Sequence, residues 1–82
     1  MEPTAAAQLL DLRGYLCPVP VIRLEAALRR LPEGAQVTVF ADDPVAAVDI
    51  PHYCREAGHA IARQKAGPPD CVFLVTRGPK PA

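Results

Sequence analysis

The sequence predicts a two-layer α/β (α+β) sandwich, in which a mixed four-stranded sheet carries two helices on one face. Four short segments have the alternating or β-branched composition of strands, and two segments with helical spacing of apolar residues separate the first three of them. Half of the 82 residues are apolar, which is enough for a compact core without disulfide bonds. The predicted order is βαβαββ, which implies a parallel strand pair joined through a helix.

The first strand is predicted at Gln8-Leu9-Leu10-Asp11-Leu12, and Arg13-Gly14 ends it. The first helix is predicted from Pro20 to Leu31, because apolar residues recur there with helical spacing and charged residues occupy the other faces. Pro32-Glu33-Gly34 provides the usual stop signals. This helix is therefore expected to cover one face of the sheet.

Three further segments complete the predicted sheet. Residues 36–41 are β-branched and aromatic and form the second strand, residues 59–64 form a weaker third strand, and residues 71–76 form a strong fourth strand. Residues 65–70 have loop composition and fit a long hairpin connection between the last two strands.

The second helix is predicted from about Val45 to Ala57, with Asp43 as its N-cap and Pro44 at its first position. Pro51 lies inside this segment, so a kink is expected there. Asp49 is interpreted as a second cap after the kink.

The stretch Leu16-Cys17-Pro18-Val19-Pro20 joins the first strand to the first helix. Pro18 fits a first helical turn and restricts Cys17 to the extended geometry of an N-cap residue, although Pro20 could delay the regular helix until Pro20 itself. In both cases the thiol lies within about one turn of the helix N-terminus, where the dipole and free N–H groups favour an anion. We therefore expect the pKa of Cys17 to lie below its free value of about 8.5.

Composition restricts the functional class. Nine basic and nine acidic residues balance, which disfavours direct binding of nucleic acid. Neither a signal peptide nor an apolar run of membrane-spanning length is present, so a cytoplasmic protein without membrane contact is expected. We expect one domain at residues 8–77, with flexible termini at residues 1–7 and 78–82.

The three cysteines are widely spaced, and their pattern predicts neither a metal site nor a disulfide framework. Cys54 falls on the apolar side of the second helix and is expected in the core. Cys71 begins a strand, and packing and an exposed thiol remain alternatives for it.

Several polar residues are secondary candidates. Arg23, early in the first helix, could lower the pKa of Cys17 or guide a partner, but a solvated surface role is favoured, and the same holds for Arg13. Asp42 and Asp43 are interpreted as structural and not as an acid–base pair, since adjacent side chains rarely converge. His59 could shuttle a proton to the thiol, but a structural or surface role is favoured.

Five motifs resemble, in order and spacing, those of the TusA-like (SirA-like) sulfur carrier proteins, over about Leu9 to Arg77. They are Leu10-Asp11-Leu12-Arg13-Gly14, Cys17-Pro18-Val19-Pro20, Asp42-Asp43-Pro44, Asp49-Ile50-Pro51 and Gly58-His59. A lone Cys-Pro-x-Pro motif would be a weak signal, whereas five motifs in register are specific.

The resemblance implies a two-layer α/β sandwich and a cysteine, Cys17, that carries sulfane sulfur as a persulfide. Pro18, Pro20, Arg13, Arg23 and Asp43 are carried over as supporting positions. The implied partners are a sulfur donor, either a cysteine desulfurase or a rhodanese-like protein, and an acceptor protein in tRNA thiolation, molybdenum cofactor synthesis or sulfur oxidation. Because the sulfur travels covalently, no cofactor is expected, and the chain would be a sulfurtransferase-type carrier.

Two other readings remain. In the first, the same fold is a non-catalytic interaction or regulatory module and Cys17 is incidental, since small two-layer folds serve unrelated functions. In the second, the chain is a redox thiol protein, but it lacks the expected resolving cysteine pair and ranks last. A low alkylation half-point at Cys17 would favour the carrier, and a normal one would favour the module.

Overall fold

The computed structural model describes residues 8–79 and confirms the predicted fold class. Four strands and two helices follow one another in the predicted order. The elements are β1 (Gln8–Asp11), α1 (Val19–Arg29), β2 (Gln36–Ala41), α2 (Ala46–Ala57), β3 (Ala60–Gln64) and β4 (Cys71–Thr76). The predicted termini at residues 1–7 and 80–82 lie outside the described residues.

The sheet is mixed, with the strand order β1-β2-β4-β3. β1 and β2 are parallel, as a strand–helix–strand unit requires, and β4 runs antiparallel to both β2 and β3. The last strand of the chain therefore lies inside the sheet. This placement explains its continuous apolar composition.

The core lies between one face of the sheet and the two helices. Every second residue of β2 and β4 is buried there, and the two sets pair across the strands, as Val39 does with Phe73. Leu28 of α1 and Ile50 and Cys54 of α2 close the core from the helical side, each with no exposed surface. The expected core position of Cys54 is confirmed.

The helix ends differ from the prediction for local reasons. α1 ends at Arg29 and not at Leu31, because the N–H groups of Arg30 and Leu31 bond three residues back, to Ala27 and Leu28, and tighten the last turn. β3 begins at Ala60, one residue later than predicted. His59, the residue before β3, instead closes the end of α2, because its N–H donates to the Cys54 carbonyl oxygen at 2.8 Å.

The start of α2 also differs. Val45 and not Asp43 is the N-cap residue, and Pro44 lies in the turn before the helix. Asp43 still supports this turn, because its carbonyl oxygen accepts the Ala47 N–H at 3.1 Å and its Oδ1 accepts the Val45 N–H at 3.4 Å. The predicted N-cap is therefore wrong by two residues, although the same aspartate holds the helix start.

α2 continues through Pro51 without a break. The interpretation of Asp49 as a second cap is consequently wrong, since there is no new helix start for it to cap. Asp49 lies in the first turn of the continuous helix. Neither α1, with 11 residues, nor α2, with 12, has the length needed to cross a bilayer, and residues 8–79 contain no other helix.

Gly78 was predicted to begin a flexible C-terminal tail, but it is buried. Its N–H donates to His59 Nδ1 at 2.8 Å, and a Cβ atom placed on it would overlap the carbonyl oxygen of Gly58. The packed part of the chain thus extends at least one residue beyond the predicted domain end.

We predict that Ile50→Val lowers the free energy of unfolding by about 0.5 to 1.5 kcal/mol, because it removes a fully buried methyl group. Ile22→Val is the matched control, since Ile22 is also helical but 56% exposed. Its effect should stay within about 0.5 kcal/mol. Urea denaturation followed by circular dichroism measures both, and equal losses in the two variants would contradict the assigned core.

We predict that Gly78→Ala lowers the free energy of unfolding by about 1 to 3 kcal/mol, because the added methyl group meets the backbone of Gly58. Gly67→Ala is its control, since nothing lies within 4 Å of a Cβ atom there. Thermal denaturation should give a lower Tm for Gly78→Ala than for Gly67→Ala. A Gly78→Ala protein as stable as the parent would show that this close packing is absent.

Candidate functional site

Cys17 lies in the loop between β1 and α1 and is the exposed member of the three cysteines. α1 begins at Val19 with Pro18 as its N-cap, so the prediction that Cys17 is the cap is wrong by one residue. The Val19 N–H donates to the Leu16 carbonyl oxygen at 2.9 Å, which closes a turn over Cys17 and Pro18, whose peptide bond is cis. The thiol is therefore presented one residue before the helix.

Pro20 occupies the second position of α1 and is buried. A proline there removes no helical hydrogen bond, because the first-turn N–H groups have no partner within the helix. The two prolines of the motif therefore have different roles. Pro18 ends the turn, and the buried Pro20 packs the first turn of α1 into the core.

Two adjacent aspartates fasten this loop to the end of β2. Asp42 Oδ1 accepts the Gly14 N–H at 2.9 Å, and Asp43 Oδ2 accepts the Cys17 N–H at 2.9 Å. Asp43 is only 8% exposed, so its carboxylate is used within the fold. Both carboxylates hold backbone groups, which is a structural role.

The thiol itself points to α2. Cys17 Sγ donates to Asp49 Oδ2 at 3.0 Å. This hydrogen bond raises the pKa of the Cys17 thiol, and partial desolvation and the charges of Asp49 and Asp43 raise it further. The expectation of a lowered pKa is therefore wrong, because the carboxylates next to the thiol outweigh the N-terminus of α1.

Asp49 is the site residue that sequence reasoning missed. It is 32 positions from Cys17 along the chain, so no local pattern links the two. The available signal was its membership of the motif Asp49-Ile50-Pro51, one of the five that carried the resemblance.

The two arginine candidates are not partners of the thiol. Arg13 pairs with Asp11 at 2.8 Å and with Asp70 at 3.4 Å, and its guanidinium holds the pKa of Asp11 at about 2. Arg23 lies over the ring of Tyr15, with 4.5 Å between the guanidinium carbon and the ring centre. Neither arginine contributes to the pKa of Cys17.

His59 is also separate from the site. It is 4% exposed, and burial lowers its pKa. It follows the C-terminal end of α2, whereas Asp49 lies in the first turn, and the intervening helix spans more than about 10 Å. The structural interpretation of His59 therefore fits its position, and the proton-shuttle interpretation does not.

The open question about Cys71 is resolved in favour of packing. Cys71 is 4% exposed, and its Sγ donates to the Ala41 carbonyl oxygen at 3.4 Å. Burial raises its pKa, and burial raises that of Cys54 to about 11. Both thiols are therefore poor nucleophiles in the folded protein.

A groove with a volume of about 270 Å³ lies beside β1 and α1 and does not include Cys17. It is lined by Leu10, Asp11, Leu12, Tyr15, Arg23, Ala26, Ala27 and Arg30. No group of three or more potential metal ligands occurs within residues 8–79. Cys17 is exposed and lies outside this groove, so its surroundings suit contact with a protein better than an enclosed small molecule.

Comparison with known proteins gives a family match and a similar crystal structure. Residues 8–77 match the family model described as sulfurtransferase TusA. The chain also resembles the crystal structure of a SirA-like protein from Desulfitobacterium hafniense, with 27% sequence identity and a TM-score of 0.76. The match covers 85% of this chain and 96% of the other.

We predict that iodoacetamide modifies one thiol per native molecule, and that Cys17→Ser abolishes this reaction. Because the pKa of Cys17 is raised, the thiol stays protonated to higher pH, and the half-point of the rate should lie above that of the urea-unfolded chain. Mass spectrometry of samples quenched across a pH series measures both. A half-point below that of the unfolded chain would contradict the geometry of the thiol.

Proposed function

This chain belongs to the sulfurtransferase TusA family, and on that premise we propose that it carries sulfane sulfur as a persulfide on Cys17. The observation that carries the proposal is the exposure of Cys17 on a loop fastened at both ends, while the other two thiols are buried. A carrier needs one accessible thiol and no competing one. This chain has that arrangement.

The transfer conserves atoms and electrons. The sulfur of Cys17, as thiolate, attacks the terminal sulfur of a donor persulfide, so that a new S–S bond forms and the donor S–S bond breaks. The donor cysteine leaves as a thiolate and takes up the proton that Cys17 loses. In the second step the acceptor thiolate attacks the outer sulfur of Cys17 in the same way, and Cys17 is the leaving group.

The surroundings of Cys17 support docking of proteins. Leu16 is 71% exposed, Val48 is 68% exposed and Val45 is 49% exposed, and these apolar side chains flank Cys17 and Asp49 along the chain. Exposed apolar groups of this kind mark contact surfaces. We propose a cysteine desulfurase or a rhodanese-like protein as donor, and an acceptor in tRNA thiolation, molybdenum cofactor synthesis or sulfur oxidation.

The raised pKa of Cys17 bears on the rival reading, in which the chain is a non-catalytic interaction or regulatory module. A lowered pKa of Cys17 would have favoured a carrier, but the pKa is raised and therefore does not support that choice. Family membership and the exposure of Cys17 still favour the carrier. No observation specifically favours the module.

We also propose that the carrier acts in the cytoplasm, without a cofactor and without direct contact to nucleic acid. All three cysteines are free thiols, which suits a reducing compartment. The balanced charge of the chain supports delivery to a protein and not to RNA.

We predict that incubation with a cysteine desulfurase and cysteine, or with a rhodanese and thiosulfate, adds the mass of one sulfur atom to the protein. Fragmentation should locate it on Cys17, and Cys17→Ser should remain unmodified. Cys71→Ser is the matched control, because a serine hydroxyl can keep the hydrogen bond to Ala41 and the buried thiol is not required. Intact-protein mass spectrometry measures all three proteins.

Two outcomes would refute the carrier. One is the absence of the adduct with both donors. The other is an adduct of equal yield on Cys17→Ser, since the sulfur would then reside elsewhere.

A further inference from the structure

Asp49 carries a charge that the fold leaves uncompensated. Its Oδ2 accepts a hydrogen bond from the Cys17 thiol at 3.0 Å, and no ion pair to Asp49 forms among residues 8–79. Asp43, on the other side of the same loop, accepts the Cys17 N–H. Two carboxylates therefore bond Cys17, that of Asp49 on α2 and that of Asp43 in the segment before α2. The first turn of α1 contributes no acidic side chain.

This arrangement opposes the first step of sulfur transfer. The attacking species is a thiolate, and a hydrogen bond to a carboxylate stabilises the protonated thiol instead. A cation supplied by another molecule would offset this negative charge and favour the thiolate that reacts.

We propose that the surface around Cys17 receives a donor loop with a lysine or arginine next to its persulfide, and that this cation replaces the thiol as the partner of Asp49. The inference rests on the proposed function of Cys17 as a sulfur carrier. When the cation pairs with Asp49, the thiol loses its acceptor and gains a positive neighbour, so its ionisation becomes favourable. In the free protein Asp49 is a positioning residue that keeps the thiol protonated.

Charge and shape around the thiol fit such a loop. Asp49 is partly exposed, so an incoming cation can reach it, whereas Asp43 is buried and remains bound to the backbone. Leu16 precedes Cys17 in the sequence, Val48 precedes Asp49, and Val45 lies one helical turn before Asp49, and all three side chains are exposed. Exposed apolar residues next to an accessible carboxylate are complementary to an apolar loop with one cation.

The first test measures the effect of Asp49 on the thiol. Asp49→Asn keeps the size and an acceptor oxygen but removes the charge, and it should react with iodoacetamide roughly three- to tenfold faster than the parent at pH 7. Glu56→Gln is the matched control, because it removes the same charge from an exposed residue of the same helix, about 10 Å further along it. Its rate should stay within about twofold of the parent rate.

The second test imitates the donor with small thiosulfonates, which give a mixed disulfide when a thiolate attacks their sulfur and a sulfinate leaves. A trimethylammonium-ethyl reagent places a cation beside the reacting sulfur, and a sulfonato-ethyl reagent places an anion there. The ratio of the two rates should be severalfold higher for the folded parent than for the same chain in urea. Asp49→Asn should lower this ratio, and added salt should do the same.

The inference is wrong if Asp49→Asn reacts no faster than the parent, or if the reagent ratio is the same in the folded and unfolded chains. The second measurement needs no variant, so it decides even where Asp49→Asn folds poorly. Both tests use reagents and not a sulfur donor. Unchanged rates with normal sulfur loading would refute this inference alone. Failed loading with the expected rates would refute the carrier function and the sulfur donor as partner, and would leave only the effect of Asp49 on the thiol.

Discussion

The hydrogen bond from the Cys17 N–H to the buried carboxylate of Asp43 holds the site together. It joins the loop before α1 to the turn before α2, two segments that are far apart in the sequence. A hydrogen bond to a charged group contributes about 1.5 to 3 kcal/mol, and the loss of one partner leaves the other unsatisfied in a buried place. Because the same aspartate also accepts the Val45 N–H, the position of Cys17 and the start of α2 are set by one side chain.

Much of the fold follows from local patterns, and most of the site does not. β2 and β4 have the predicted bounds, since their alternation reflects one buried face of the sheet. The helix ends shift by one or two residues where short turns compete with regular helical bonds. The placement of Cys17 next to the start of α1 could be predicted from its flanking prolines.

The sign of the pKa shift at Cys17 could not be predicted, because it depends on contacts across the fold. The sequence argument considered the N-terminus of α1 and Arg23, whereas the thiol donates to Asp49 on α2. A helix N-terminus contributes a partial charge, and a full carboxylate charge at hydrogen-bond distance has the larger effect. The arginines do not contact the thiol, since Arg13 pairs with Asp11 and Arg23 lies over the ring of Tyr15.

If Cys17 carries sulfane sulfur as proposed, the burial of Cys54 and Cys71 has a consequence for the lifetime of that persulfide. A second thiol of the same molecule can attack the inner sulfur, which gives a disulfide and releases hydrogen sulfide, or the outer sulfur, which moves the sulfane sulfur to that thiol. Cys54 has no exposed surface, and burial raises its pKa to about 11. Cys71 is buried as well, and its thiol donates a hydrogen bond to the Ala41 carbonyl oxygen. Neither thiol can reach either sulfur of a persulfide on Cys17 without unfolding, so on the folded protein such a persulfide would be lost only by an encounter with another molecule.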